Sequence, residues 1–330
     1  MIDNSKNDPT TPVYRFALDV NDSVIWNKND LIKFLASHQG RVIDLEIPEG
    51  VCLRSLGLFD ILDAFNFKSI TVRSFNLVQE PYRNYKLQGH ILSFRYFDVP
   101  SQSDYVNYHS WTGNKLFGAL YNRPTWTRIG LASTLYVKHK DITSLNFRFN
   151  PHDPDQRPMF ELDQLFVAHP ESVLNFGKTY HHLPLQLEQC DSYTVGATTK
   201  AHTDQLAQFY PDFLIDIVAE TFVKGRSFYP TEKTTRPMLM KKPFIIMGPK
   251  CFLIHLRQMG FRTFHEFWNE EYDGHGMEQR YTRILDLIDN LANKPMDELQ
   301  DMYQRMQPIL DHNYQLLIEK KFTRDITYVE

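Results

Sequence analysis

The sequence predicts an α/β fold with parallel sheets, and three observations carry that expectation. Residues Phe213 to Ala219 (FLIDIVA) and Phe244 to Met247 (FIIM) are apolar runs of buried-strand length. The first is followed by Glu220 and a polar loop with Lys224, Gly225 and Arg226, the second by Gly248-Pro249. A helical pattern from Cys251 to Met259, stopped by Gly260, comes after the second run. Strand and helix alternating through tight loops is the grammar of a parallel sheet covered by helices. Ligands bind such sheets outside the carboxyl ends of their strands. Glu220, Glu232 and Lys233 all fall near that edge.

The same rhythm runs through the first half. Residues 1–12 read as a tail. Leu31 to Ala36 predicts a helix, Arg41 to Ile47 a strand broken by Pro48-Glu49-Gly50, and Leu53 to Phe65 an apolar-rich helix. Ile70 to Phe75 and a segment within Leu87 to Phe97 are further strands. Asn114 to Leu120 is weakly helical, and Pro124 suits the first turn of a helix reaching about Val137. Ile142 to Phe149 is a strand. Residues 151–158, PHDPDQRP, hold three prolines in eight positions and read as a linker or surface loop. This places a domain boundary at 150/151, with residues 1–150 and 151–330 as two domains. Residues 159–211 show only short helical patches, with His181, His182, Cys190 and His202 scattered among them. Beyond the central stretch, Ile284, Leu287, Ile288 and Leu291 share one helical face. Leu299, Met302, Tyr303 and Met306 share another, which Pro308 should kink or end.

Composition narrows the class. The chain has 330 residues, 42% hydrophobic and 23% charged, as expected of a soluble globular protein of roughly two domains. No apolar run has the length of a membrane span, and the polar start MIDNSKNDPTTP does not read as a signal peptide. Cys52, Cys190 and Cys251 are isolated, which fits a reducing, cytoplasmic setting and argues against a disulfide scaffold. A net charge of −4 does not favour nonspecific nucleic-acid binding, though it leaves room for a local basic groove. There is no P-loop, no G-x-S-x-G and no H-E-x-x-H.

The stretch from Asp212 to Asp273 resembles the donor-binding half of nucleotide-sugar glycosyltransferases of phages and some bacteria. The resemblance rests on a strand ending in Glu220, a loop, Thr231 to Thr234 (TEKT) and Pro243 to Ile245 (PFI). It continues through Gly260 to Phe264 (GF-x-TF) and Glu271 to Asp273. It extends upstream to Glu49-Gly50, Ser74 to Glu80 and Asn122 to Tyr136. The Thr-Glu-Lys triplet is more distantly similar to the donor site of fucosyltransferases. The resemblance implies two Rossmann-like domains facing a cleft, the GT-B arrangement, with a C-terminal helix returning to the first domain. It implies a nucleotide-sugar co-substrate, a UDP-sugar being the expected donor, and no bound metal or other cofactor. Related phage enzymes glycosylate 5-hydroxymethylcytosine in DNA. Such double-stranded DNA is the expected acceptor, met in the host cytoplasm if the chain is phage-encoded. A cell-surface glycan is the alternative acceptor, and a non-catalytic nucleotide-sugar or nucleic-acid binding protein the alternative role.

Glycosyl transfer from a nucleotide sugar builds negative charge on the departing diphosphate, and cations or helix N-termini aimed there stabilise it. Lys233, with Arg123 and Arg128 flanking the Pro124 turn, are the candidates, Thr231 opening the segment. The plain reading of each basic residue is a solvated surface charge. A ribose diol is met by a carboxylate at a strand end. Glu220 and Glu232 both qualify, although Glu220 also reads as a helix cap or a surface ion pair and Glu232 as favourable charge at a helix start. Pro237 leaves open whether the helix begins at Thr231 or nearer the proline. Inverting transfer needs a base. Glu49 beside Gly50 is the first candidate, with a turn residue an equal reading, and Asp104 is the second. Tyr105, Tyr108 and Trp111 are aromatic surfaces on which a flipped base could stack at the acceptor side, with Trp126 also available. Asp153-Pro-Asp155 has the form of a metal-binding D-x-D but sits among prolines and reads as a loop. No metal ligands are assigned.

Overall fold

A computed structural model describes residues 11–18, 24–25, 27–47, 50–78, 86–89, 105–153, 159–187, 199–225, 227–319 and 321. Glu49 and Asp104, the two candidate bases, lie outside the described residues, as do Asp155, Cys190 and Arg226. The chain is α/β and forms two compact units. Residues 1–92 with 224–229 and 324–330 make the first, and residues 93–223 with 230–323 the second.

The first unit holds β1 (Val13–Arg15), the short antiparallel pair β2 (Ala17–Leu18) and β3 (Val24–Ile25), α1 (Lys28–Ser37), β4 (Val42–Glu46), α2 (Leu58–Leu62), β5 (Ser69–Ser74) and β6 (Lys86–Gly89). Its parallel sheet runs β1-β4-β5-β6, so its strands lie in chain order. Asn27 starts α1 by accepting the Asn29 amide on its side chain at 3.0 Å, which satisfies one of the free donors of the first turn. Leu31, Leu35, Ile43, Leu45, Leu58, Leu62, Ile70 and Val72 are the buried apolar residues that α1, α2 and the sheet contribute to its core. The helix expected from Leu53 to Phe65 shrinks to five residues. Gly57 takes φ +68 there, a left-handed conformation that ends one turn before α2 begins.

Residues 224–229, expected to be a plain polar loop after a strand, are built into this unit. Asn76 stitches them in. Its side-chain carbonyl accepts the amides of Phe228 (2.8 Å) and Val78 (3.1 Å), and the Leu77 amide donates to the Phe228 carbonyl at 2.9 Å. Gly50 is glycine because a Cβ there would overlap Tyr229 at the root of its side chain. The close approach at Gly50 is therefore to the protein's own Tyr229. Gly50→Ala should cost about 1–3 kcal/mol by overpacking. It should also make the 224–229 segment more open to protease than in the wild type in a limited-digestion time course.

The second unit contains β7 (Lys115–Tyr121), α3 (Trp126–His139), β8 (Thr143–Phe147), α4 (Met159–Ala168), α5 (Pro170–Thr179), α6 (Thr199–Ala207) and β9 (Phe213–Ala219). It continues with α7 (Glu232–Leu239), β10 (Phe244–Met247), α8 (Phe252–Gln258), α9 (Met277–Ala292) and α10 (Met296–Ile318). Its sheet is parallel throughout, in the order β10-β9-β7-β8. Residues 115–147 thus share a sheet with 213–247, and the compact units divide near residue 92 rather than at 150. Asn114 to Leu120, expected as weak helix, contributes the strand between β8 and β9. Gly118 at its centre lets the Phe213 ring lie against the backbone. Helix α3 is buried along most of its length and packs on α4 and α5. Helix α10 runs through Pro308 to Ile318 without ending, because Met306, Ile309 and Leu310 pin it on both sides of the proline. It packs on α7, within the second unit.

Candidate functional site

Strand order singles out one edge. From β7 the chain moves outward to β8, then returns to the other side of β7 to lay down β9 and β10. The order reverses between β7 and β9, and the crevice beyond the carboxyl ends at such a reversal is where open parallel sheets take ligands. The first unit's sheet has no reversal among its described strands. The residues that leave the reversal are Asn122 to Thr125 after β7 and Glu220-Thr221 after β9.

Thr125 caps α3 and brings Arg128 into its first turn. Arg128 is 2% exposed. Its Nε and one terminal nitrogen donate to the Ala219 carbonyl at 3.2 and 3.0 Å, and the other terminal nitrogen donates to the Arg123 carbonyl at 3.4 Å. Burial lowers its pKa, while the charges of Glu220 and Glu232 act the other way. Arg128 thus fastens the two loops of the crevice together, which differs from the phosphate-binding role expected of it. Arg123 is half-buried beside it.

Glu220 is likewise engaged. It is 1% exposed and accepts the Thr231 amide (3.1 Å), the Thr231 hydroxyl (2.6 Å) and the Thr234 hydroxyl (2.6 Å). Both its oxygens hold the start of α7, so its capping reading prevails over ribose binding. Thr231 is the N-cap, its hydroxyl accepting the Lys233 amide at 3.2 Å. This answers the question left by Pro237. The helix begins at Thr231, and the proline sits inside it, in the last turn.

Glu232 and Lys233 stand on that first turn and are the partly exposed members, with side chains 24% and 23% exposed. Lys233 Nζ donates to Glu232 Oε1 at 2.5 Å and approaches the Thr231 hydroxyl at 3.4 Å. Burial alone would raise the Glu232 pKa. Lys233, by charge and hydrogen bond, and Arg236 outweigh it and hold the carboxyl at about 2. One helical turn further in, Arg236 is 5% exposed. Below it, in the middle of β9, Asp216 accepts the Tyr210 hydroxyl at 2.6 Å. Burial raises Asp216 to about 6 against that bond and the Arg236 charge. Arg236 and Asp216 are the members that sequence reasoning missed. Two signals were present: an aspartate inside an otherwise apolar strand, and a Glu-to-Arg spacing of four on one helix face.

The aromatic residues expected on the acceptor side lie at the other end of the sheet. Trp111 donates its indole N–H to the carbonyl of Lys115, the first residue of β7, at 3.0 Å. Thr112 donates its amide to Pro211, just before β9. A strand of β7's length separates them from the carboxyl edge by about 20 Å. Tyr105 is buried and donates to Asp204 at 2.5 Å, with Tyr108 beside it. His109 contacts the carbonyl of Leu239, the last residue of α7, whereas Glu232 is its first. The structure therefore brings Thr231, Glu232, Lys233, Glu220, Arg123 and Arg128 together, and does not bring Tyr105, Tyr108 or Trp111 to them. Trp111 instead joins Asp297, Gln300, Asp301 and Tyr303 along a shallow groove of about 480 Å³ beside α10.

The GF-x-TF stretch is a brace. Glu270 accepts the Thr263 hydroxyl and Phe264 amide, both at 2.7 Å, and Arg257 at 3.1 Å. Asp273 accepts the Leu253 and Ile254 amides and so starts α8. No group of three or more potential metal ligands occurs among the described residues, and no helix among them is long and apolar enough to cross a membrane. No protein-family model, curated protein or solved structure matches this chain.

Proposed function

We propose that the protein is a nucleotide-sugar-dependent glycosyltransferase whose second unit binds the donor. The observation that carries this reading is the Glu232–Lys233 pair. Two adjacent, partly exposed charges stand on the first turn of a helix that opens over the strand-order reversal. Lys233 offers a cation to the departing diphosphate, supported by the positive end of α7. Glu232 offers a carboxylate to the ribose diol. Around them Glu220 and Arg128 hold the loops rigid, so that little reorganisation is needed when ligand arrives.

In this reading the two parallel sheets are the two domains of a GT-B enzyme working in a cytoplasm. The base is Glu49 or Asp104, and 5-hydroxymethylcytosine DNA is the first acceptor to try, ahead of a cell-surface glycan. Incubation with a panel of UDP-sugars and either acceptor tests it. Release of UDP together with a hexose or pentose mass shift on the acceptor is the expected result. Tight UDP binding without release would mark a binding protein, and no binding at all would sink the reading. Lys233→Ala should weaken UDP binding by about 1.5–3 kcal/mol, the range for a hydrogen bond to a charged group. Its thermal midpoint should barely move. Unchanged affinity in a titration would remove Lys233 from the site. Glu49→Gln and Asp104→Asn, compared side by side, identify the base as the variant whose turnover collapses while UDP binding holds.

A further inference from the structure

Arg236 is unusual among the buried cations of the second unit. Arg128 and Lys242 are tied to backbone carbonyls, and Arg280 to the carbonyls of His275 and Val223. Arg236 is as deeply placed, and its Nε, like that of Arg280, has no hydrogen-bond partner; Arg280 has both terminal nitrogens on carbonyls, whereas no such bond among the described residues holds Arg236. The nearby acids are engaged elsewhere, Asp216 Oδ2 by the Tyr210 hydroxyl and Glu232 Oε1 by Lys233. A buried guanidinium held by neither a carbonyl nor an anion is costly, and an incoming anion would relieve that cost. Its direction follows from helix geometry. Side chains lean toward the helix N-terminus and lie over the preceding turn, and residues four apart share a face. Arg236 therefore reaches toward the turn that carries Glu232 and Lys233. It lies within electrostatic range of Glu232.

Resting on the donor-site reading above, we propose that Lys233 and Arg236 together form a two-cation seat for a diphosphate-class anion, for which the Glu232 carboxylate is the resident stand-in. An incoming diphosphate displaces that carboxylate from Lys233 and engages the guanidinium, while Glu232 turns outward, free to accept hydrogen bonds from a sugar diol. No covalent step is involved. A guanidinium adds what a lysine lacks, a planar fork that donates two parallel bonds to one phosphate group.

The test is titration calorimetry of the full chain with inorganic pyrophosphate and, separately, UDP. Arg236→Gln should weaken pyrophosphate binding about tenfold or more, and Arg236→Lys by less. Arg236 also faces the Asp216 charge. The double variant Asp216→Asn/Arg236→Gln therefore keeps the interior balanced and gives the answer if the single variant unfolds. Wild-type affinity in a folded double variant overturns the proposal. Glu232→Gln should tighten pyrophosphate binding several-fold by removing the competing carboxylate, and unchanged or weaker binding would overturn the exchange. A wild-type protein that binds neither pyrophosphate nor UDP also overturns it. The inference is separable from the transferase reading. Arg236-dependent pyrophosphate binding in a protein that consumes no nucleotide sugar retires the enzyme assignment and keeps the seat.

Discussion

Replacing Glu220 by alanine should lower stability by about 3–5 kcal/mol, the cost of breaking a buried charged cluster by removing one partner. The argument starts from its three bonds. The Thr231 amide and the Thr231 and Thr234 hydroxyls all donate to this one carboxylate, at 3.1, 2.6 and 2.6 Å. Without it, buried donors at the head of α7 lose their acceptor, each at a cost of about 1–3 kcal/mol where water cannot enter. Arg128, close enough to feel the Glu220 charge, loses a compensating anion as well. In a unit of this size the midpoint should fall by roughly 10 °C or more. Glu220→Gln, which keeps the shape, should recover part of it. A shift of only a degree or two in a thermal melt of the alanine variant would show that Glu220 does not hold the helix. The head of α7 would then need another anchor.

Lys242→Met should show an effect that changes sign with pH. Lys242 is 0% exposed, donates to the Ser110 carbonyl at 2.7 Å and lies 6.0 Å from the Tyr303 ring centroid. Burial pushes its pKa down to about 7, with the Asp212 charge opposing. In an unfolded chain the same amine titrates near 10.4. Between these values the unfolded chain holds a proton that the folded chain has released. Folded stability therefore rises as pH increases from about 7 to about 10, by on the order of 4 kcal/mol, and below 7 the penalty is present in full. Methionine fills similar space without charge but leaves the Ser110 carbonyl unpaired, at a cost of about 1–3 kcal/mol. At pH 6 the variant should melt above the wild type. At pH 9.5 it should melt level with it or below. Parallel melting curves across that range would mean that Lys242 keeps its proton in the fold.

The parts of this molecule legible in the sequence are those where one residue type has one explanation. Strands β9 and β10 are apolar runs too short for helices, closed by residues that end strands, and they lie where expected. The helix after β7 lies where Pro124 suggested, with Thr125 as its cap, whereas the choice between Thr231 and Pro237 as the start of α7 needed the bonds of the Thr231 hydroxyl. Strand β7 was not legible. A segment buried on both faces shows no alternation, and KLFGALY suits either element until its neighbours in the sheet are known. That one strand carried much else with it. Its direction puts Trp111 and Lys233 at opposite edges, and its pairing moves residues 93–150 into the second unit. The Thr-Glu-Lys triplet lies at the carboxyl edge of β9 because Glu220, the residue after that strand, accepts from Thr231 and Thr234. The spacing of Glu232 and Arg236 is visible in the sequence, but the depth of Arg236 and the carbonyl bonds it lacks are not, because sequence records residues rather than pairings.

The stitching of Phe228 to Asn76 and Leu77 bears on how the chain matures. During synthesis Asn76 leaves the ribosome long before the residue whose amide it accepts. Until Tyr229 has emerged, the first sheet carries an unfinished flank, with the carboxamide of Asn76 and the amide of Leu77 in contact with water. By then β7, β8 and β9 have already been made. Three strands of the later sheet can therefore assemble before the earlier one is sealed. A nascent chain arrested between residues 92 and 224 should expose its first sheet to protease, and one arrested well beyond residue 229 should protect it.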